Sequence, residues 1–205
     1  MQTEPLRAQH SLKPTSRGVH HLALNTSDMK ATSEFYMHVL GMPLVHALRV
    51  PPGVGVGPGN RGNPPFENLR HYFFDAGGDT LLAFFELPAN EVGKGDRNAI
   101  AAMQHVSFTT TQSQFDAMQA RLRKHEISFI GPVCVGVKTW SSYIFDPNGI
   151  RLEYSYQEDD PDELQGVHVV ERWTQTKSEI LEELNTLEVD RQWLDAMTQH
   201  LPSSR

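Results

Sequence analysis

The sequence predicts an α+β fold of two βαβββ modules with curved mixed sheets, followed by a C-terminal helical extension. The first observation is an internal repeat, because the order strand, helix and three strands occurs at residues 18–88 and again at 99–157. The second is the alternation of polar and apolar side chains along the strands. Such alternation is typical of a sheet with one face packed on helices and one open face. We therefore expect the two open faces to line a cup.

The first module begins with the strand GVHHLALN, in which His21 and Leu22 point to opposite faces. Ser27 or Asp28 can cap the helix that follows, and Gly41 can end it. Three more strands complete the module, and they are predicted from the segments MPLVHALRV, LRHYFFDAGG and DTLLAFFELP.

The second module repeats this order after a linker at 89–98. Its first strand, MQHVSFTT, carries His105 on the face opposite Val106, and SQFDAMQARLRKHE predicts an amphipathic helix. Three strands follow in ISFIGPVCVGV, TWSSYIFD and GIRLEYSY, the last two joined by the turn DPNG. Only the first module contains a glycine- and proline-rich stretch, at 51–67, which can hold neither a helix nor a central strand. That stretch is either a floppy insertion or a lid over a pocket.

Two flanking segments lie outside the repeat. Residues 1–17 predict a flexible N-terminal arm, and residues 158–205 predict a helical tail. Within the tail, residues 176–201 predict one long helix, and Thr176 with Glu179 fits a capping box at its start. This helix either packs on the body of the protein or binds a partner.

The composition argues against several classes of protein. The net charge is −7 and the sequence has no basic stripe, so we expect no nucleic-acid partner. There is no run of about 18 apolar residues, so we expect no membrane partner. The N-terminus lacks the apolar core of a secretory signal, and the single cysteine, Cys134, excludes an intramolecular disulfide. We therefore expect a cytoplasmic protein.

Four side chains stand at matching places in the two modules and face away from apolar neighbours: His21, Glu86, His105 and Glu153. His21 precedes Glu86 by 65 residues and His105 precedes Glu153 by 48, and the difference of 17 equals the length of the 51–67 stretch. Two imidazoles and two carboxylates suit one divalent ion, whether Ni, Zn, Fe, Mn or Co. Two carboxylates in one cleft would also repel each other without a cation. The sequence therefore predicts one divalent metal site.

The segments HHLALNTSDMKATSEFYMHVLGM, LLAFFEL, QHVSF and YIFDPNGIRLEY resemble the vicinal oxygen chelate superfamily. This superfamily includes glyoxalases, extradiol dioxygenases and bleomycin or fosfomycin resistance proteins, and the resemblance covers about residues 18–157. It implies a metal-dependent enzyme that binds a small substrate through two vicinal oxygens. It also implies a homodimer, with a site formed within one chain or between two.

The resemblance leaves two kinds of chemistry open. Glyoxalase-like lyase or isomerase chemistry, which we favour, uses all four metal ligands, with Glu86 or Glu153 as general base. An extradiol-type Fe(II) dioxygenase would use His21, His105 and Glu153 alone, with Tyr143 at the tyrosine position of the extradiol signature. Glu86 discriminates between them, because a fourth protein ligand would occupy a position that dioxygen needs.

A third possibility is a protein that binds a drug or metabolite without catalysis, like the bleomycin resistance proteins. The resemblance places Asn25 where glutathione-dependent glyoxalases carry an arginine. The side chains predicted to line the cup and contact the substrate are Asn25, Arg70, His71 and Trp140.

Overall fold

The computed structural model describes residues 14–52, 68–88, 95–136, 138–160 and 169–201. Most of the predicted N-terminal arm, of the stretch at 51–67 and of the linker at 89–98 lies outside the described residues. The chain divides into two compact units: Gly18–Gln165, and Met1–Arg17 together with Gly166–Arg205.

The first module has the predicted order of elements. They are β1 (His21–Thr26), α1 (Met29–Glu34), β2 (Leu44–Arg49), β3 (Arg70–Asp75) and β4 (Leu81–Glu86). Helix α1 begins where the Asp28 carboxylate accepts a hydrogen bond from the Ala31 N–H at 2.9 Å, and it continues into a π-helical turn at Phe35–Val39. The chain leaves this turn at Gly41, whose φ of +74° suits glycine better than any residue with a Cβ.

The second module repeats the order. Its elements are β5 (Val106–Thr109), α2 (Gln112–Lys124), β6 (Ile130–Cys134), β7 (Thr139–Phe145) and β8 (Arg151–Gln157). A capping box of Thr111 and Gln114 starts α2, because each side chain accepts a hydrogen bond from the other residue's backbone N–H.

The two modules form two four-stranded sheets with the same topology. Sheet A has the strand order β1-β4-β3-β2, and sheet B has the order β5-β8-β7-β6. In each sheet the first pair is parallel and the other two pairs are antiparallel. The predicted α+β fold of two βαβββ modules with mixed sheets is therefore confirmed.

A hydrophobic core covers the helix-bearing face of each sheet, called here the core face. The most buried of its side chains come from both modules, and include Tyr36, Phe74, Phe84, Phe115, Leu122, Ile144 and Leu152. Polar contacts also join the modules: the Tyr36 hydroxyl donates to Asp146 at 3.2 Å, and Arg121 donates to the carbonyls of His38 and Val39 at 2.8 and 3.0 Å. The opposite face of each sheet is called the open face.

The helical tail contains α3 (Val169–Trp173), α4 (Lys177–Leu184) and α5 (Arg191–Thr198). The capping box of Thr176 and Glu179 at the start of α4 is confirmed. The prediction of one long helix is wrong, because Asp190 starts a new helix by accepting a hydrogen bond from the Trp193 N–H at 2.8 Å. None of the helices in the described residues has the length and apolar character needed to cross a membrane.

Candidate metal centre

The strand register places one set of side chains on the open face of each sheet. In sheet A this set includes His21, Ala23, Asn25, His46, His71, Phe73, Ala83 and Phe85. In sheet B it includes Ser107, Ser141, Tyr143, Arg151, Glu153 and Ser155. The two faces therefore differ in chemistry, since sheet A presents aromatic and imidazole rings while sheet B presents a carboxylate, a guanidinium and hydroxyls.

A close pair of candidate metal donors lies on sheet B. His105 immediately precedes β5, and its Nε2 lies 2.9 Å from Oε2 of Glu153. Glu153 is only 6% exposed, whereas the His105 side chain is more open. An imidazole nitrogen and a buried carboxylate that meet in this way are two donors that suit a divalent ion.

Hydroxyl groups hold the Glu153 carboxylate in place. Ser155 Oγ donates to Glu153 Oε1 at 3.1 Å, and it lies 2.9 Å from Ser141 Oγ and 3.1 Å from Ser107 Oγ. Burial raises the pKa of Glu153, but hydrogen bonds from Ser141, Tyr143 and Ser155 and the charge of His105 outweigh it and lower that pKa. The carboxylate is therefore kept ionised, as a metal ligand must be.

Tyr143 lies directly opposite Glu153 in the register of β7 and β8. Burial raises the pKa of Tyr143, and its hydrogen bond to Glu153 raises that pKa further. The guanidinium of Arg151 lies 4.3 Å from the centroid of the tyrosine ring. Tyr143 is therefore a neutral hydroxyl beside the Glu153 carboxylate.

His21 lies on the open face of sheet A, at the place that matches His105. The match follows from the pairing of Leu22 with Leu82 in one sheet and of Val106 with Leu152 in the other. Within the described part of one chain, no three His, Cys, Asp or Glu side chains form a group that could hold a metal ion. The structure therefore pairs His105 with Glu153 but does not bring His21 to them.

The predicted match between Glu86 and Glu153 is wrong. Glu153 pairs with Ser107, and the equivalent pair in sheet A is Ala83 with Ala23. Glu86 is three residues farther along β4, and an odd offset moves a side chain to the other face of a sheet. On the core face, Glu86 Oε1 accepts a hydrogen bond from the Met29 N–H at 2.8 Å, and Oε2 pairs with Arg70.

Of the four predicted substrate contacts, Asn25 and His71 lie on the open face of sheet A. The other two lie on core faces. Arg70 pairs with Glu86, and the Trp140 indole N–H donates to Glu158 at 3.2 Å. The structure therefore does not bring Arg70 and Trp140 to the face that carries the metal donors.

An aromatic cluster surrounds His71. Its ring stacks on Phe85, with ring centroids 3.7 Å apart and planes 14° apart, and it lies 4.3 Å from the ring of Phe73. Burial and the nearby charges of His21 and His46 lower the pKa of His71 to about 4. Among the described residues, its buried Nε2 has no hydrogen-bond partner.

The aromatic side chains of this cluster and the hydroxyls around Glu153 were not predicted as site residues from the sequence. The sequence spacing could have predicted both groups, because Phe73 follows His71 by two residues and Ser155 follows Glu153 by two. Residues two apart on a strand share a face, so each predicted site residue points to its neighbours on that face.

Comparison with known proteins agrees with the fold. The family model described as the Glyoxalase/Bleomycin resistance protein/Dioxygenase superfamily matches residues 18–154. A glyoxylase/bleomycin resistance protein/dioxygenase domain from Frankia sp. EAN1pec has a TM-score of 0.56 at 17% identity, over 72% of this chain and 96% of that chain. A glyoxalase/dioxygenase from Nostoc punctiforme has a TM-score of 0.52 at 26% identity, over 74% and 99%. A glyoxalase family protein from Enterococcus faecalis has a TM-score of 0.51 at 20% identity, over 68% and 97%. The chain belongs to the glyoxalase/bleomycin resistance protein/dioxygenase superfamily.

Proposed function

We propose that the chain is a divalent-metal-dependent enzyme that binds a small substrate through two vicinal oxygens and catalyses Fe(II)-dependent dioxygenation of an aromatic diol. The observation that carries the proposal is the buried Glu153 carboxylate beside His105 on the open face of sheet B. Together with His21, at the matching place of sheet A, these side chains would make a set of two imidazoles and one carboxylate.

The number of donors favours the dioxygenase over the four-ligand glyoxalase-like chemistry that the sequence suggested. The Glu86 carboxylate is engaged by Arg70 and the Met29 N–H on the core face. A six-coordinate ion with three protein donors keeps three positions, two for vicinal oxygens and one for dioxygen, and this donor set is typical of non-haem Fe(II) oxygenases. When bound, Fe(II) would supply the redox chemistry that joins dioxygen to the substrate.

The difference between the two open faces supports an aromatic substrate. Phe73 and Ala83 of sheet A stand where sheet B has Tyr143 and Glu153. With the stacked rings of His71 and Phe85, this face offers an apolar wall for a planar ring. The vicinal oxygens of such a ring would meet the polar face, where Tyr143 is placed to hold one of them by a hydrogen bond.

We further propose that two copies of the chain complete the site, so that His21 of one copy joins His105 and Glu153 of the other. In the described part of a single chain these donors do not form a metal-binding group. Strand β6 at the edge of sheet B also exposes apolar side chains, with Ile130 60% and Val133 39% exposed. Exposed apolar edge strands are usually covered, and a second copy would cover this one.

Oxygen uptake tests the proposed reaction. Anaerobically purified protein is loaded with Fe(II) and mixed with catechol and dioxygen, and uptake is recorded with an oxygen electrode. We expect catechol-dependent uptake from the Fe(II) form and none from a Zn(II)-loaded control. If the protein carries iron and binds catechol but takes up no oxygen, the result would contradict dioxygenase activity and favour lyase or isomerase chemistry.

A further inference from the structure

Arg151 is a cation on the open face of sheet B that the proposed metal site does not use. It shares this face of β8 with Glu153, two residues away, and pairs in register with Phe145 of β7. Its guanidinium lies 4.3 Å from the ring centroid of Tyr143, which lies directly opposite Glu153 in the strand register. Arg151 therefore stands beside the position where the vicinal oxygens of a substrate would bind.

Within the residues that the structure describes, Arg151 has no carboxylate partner at ion-pair distance. On its own face, Glu153 already contacts His105 and accepts a hydrogen bond from Ser155. Asp75, an acid on the open face of sheet A, already accepts a hydrogen bond from the Gly77 N–H at 2.8 Å in its own turn. The cation–π contact with Tyr143 holds the guanidinium near the ring and uses none of its N–H groups, which can therefore bind an anion.

The sum of the charges in the proposed site also favours an anionic group on the substrate. A divalent ion, the Glu153 carboxylate and a singly ionised vicinal diol sum to zero, and Arg151 adds one positive charge that none of them balances. A charge that loses water when substrate covers it is costly unless an opposite charge pairs with it. A planar carboxylate matches the fork of N–H donors on a guanidinium.

We propose that Arg151 binds an acidic group of the substrate, so that the enzyme acts on aromatic vicinal diols that also carry a carboxylate. The inference rests on the proposed function, because the same metal site must hold the diol. Arg151 thereby determines specificity, and the metal ligands determine the reaction.

The experiment compares two probes that differ only in the acid: catechol and 3,4-dihydroxybenzoate. Binding of each to the Zn(II)-loaded protein, which cannot oxidise them, is measured by titration calorimetry. We expect 3,4-dihydroxybenzoate to bind about tenfold more tightly than catechol. R151Q should lose this preference and keep its affinity for catechol, while R151K should keep part of it.

R123Q is the matched control, because Arg123 also lies over an aromatic ring, 5.2 Å from Phe129, but belongs to α2. It should behave like the unaltered protein. Equal binding of both probes, or an equal loss of both in R151Q, would overturn the role of Arg151 and leave the proposed function standing. Failure of the Zn(II)-loaded protein to bind either probe would overturn the proposed function and this inference with it.

Discussion

Glu153 and Glu86 lie on equivalent strands, β8 and β4, but their carboxylates have different surroundings. Glu153 faces the open side with His105, whereas Glu86 faces the core side with Arg70 and the start of α1. Glu153 is therefore proposed as a metal ligand in the second module, whereas Glu86 has a structural role in the first.

Exchanging each carboxylate for an amide separates these roles. E153Q should weaken Fe(II) binding by at least about 100-fold, because removing a ligand costs more than removing a group that only orients one. E86Q should leave Fe(II) affinity unchanged and lower the free energy of unfolding by about 1 kcal/mol, through the weakened contacts with Arg70 and the Met29 N–H. Metal titration and urea unfolding measure the two effects, and loss of iron from E86Q would argue for four ligands.

His71 makes stability depend on pH. Its pKa is about 4 in the folded protein and about 6.5 in an unfolded chain, so the unfolded state binds more protons between these values. The contribution of His71 to the free energy of unfolding therefore has its full value above about pH 6.5 and decreases as the pH drops toward 4. H71F keeps a ring against Phe85 and should lose less stability than the unaltered protein between pH 7.5 and 5. Thermal unfolding at both pH values checks this, and identical losses would contradict the assignment.

Among the strands, the alternation of polar and apolar residues predicted most of the two sheets. Strand β1 and the stretch 105–109, which contains β5, each have one polar and one apolar face, so His21 and His105 could be assigned to the open face from the sequence. Strand β4 reads LLAFFE, and both of its faces are apolar: Leu82 and Phe84 lie on one, Ala83 and Phe85 on the other. The alternation of polar and apolar residues therefore did not indicate on which face Glu86 lies. The spacing from His21 to Glu86 predicted the open face, and that prediction was wrong.

Arg121 links an element of the second module to one of the first. From α2 it donates to the carbonyls of His38 and Val39 at the end of the π-helical turn. Carbonyls at a helix end lack partners within the helix, so R121A should lower the free energy of unfolding by about 1–2 kcal/mol. R123A serves as the control, since Arg123 donates to Gln119 within α2. Equal unfolding midpoints for R121A and the unaltered protein would show that the link contributes little.

The complete metal site could not be assembled from the sequence. The repeat predicted that His21 and His105 occupy equivalent places, which the register bears out. Whether two open faces meet within one chain or between two depends on how modules dock, and a pattern along one chain does not contain that information.

Mixing two defective variants tests the shared site. In a dimer of one H21Q chain and one E153Q chain, one of the two sites would combine an intact His21 with an intact Glu153. We therefore expect each variant alone to lack oxygen uptake, and a refolded equimolar mixture to recover about a quarter of the normal uptake, because half of the dimers are hybrids with one good site. Lack of recovery in a mixture that contains hybrid dimers would place the site within one chain.

The most direct measurement is the metal content of the protein purified without added metal. Elemental analysis of the unaltered chain should give about one equivalent of iron per chain, because each chain contributes one complete donor set. The same analysis of E153Q should give close to none. A chain that carries no metal, and takes up none on reconstitution with Fe(II), would contradict the proposed metal centre and favour a protein that binds small molecules without catalysis.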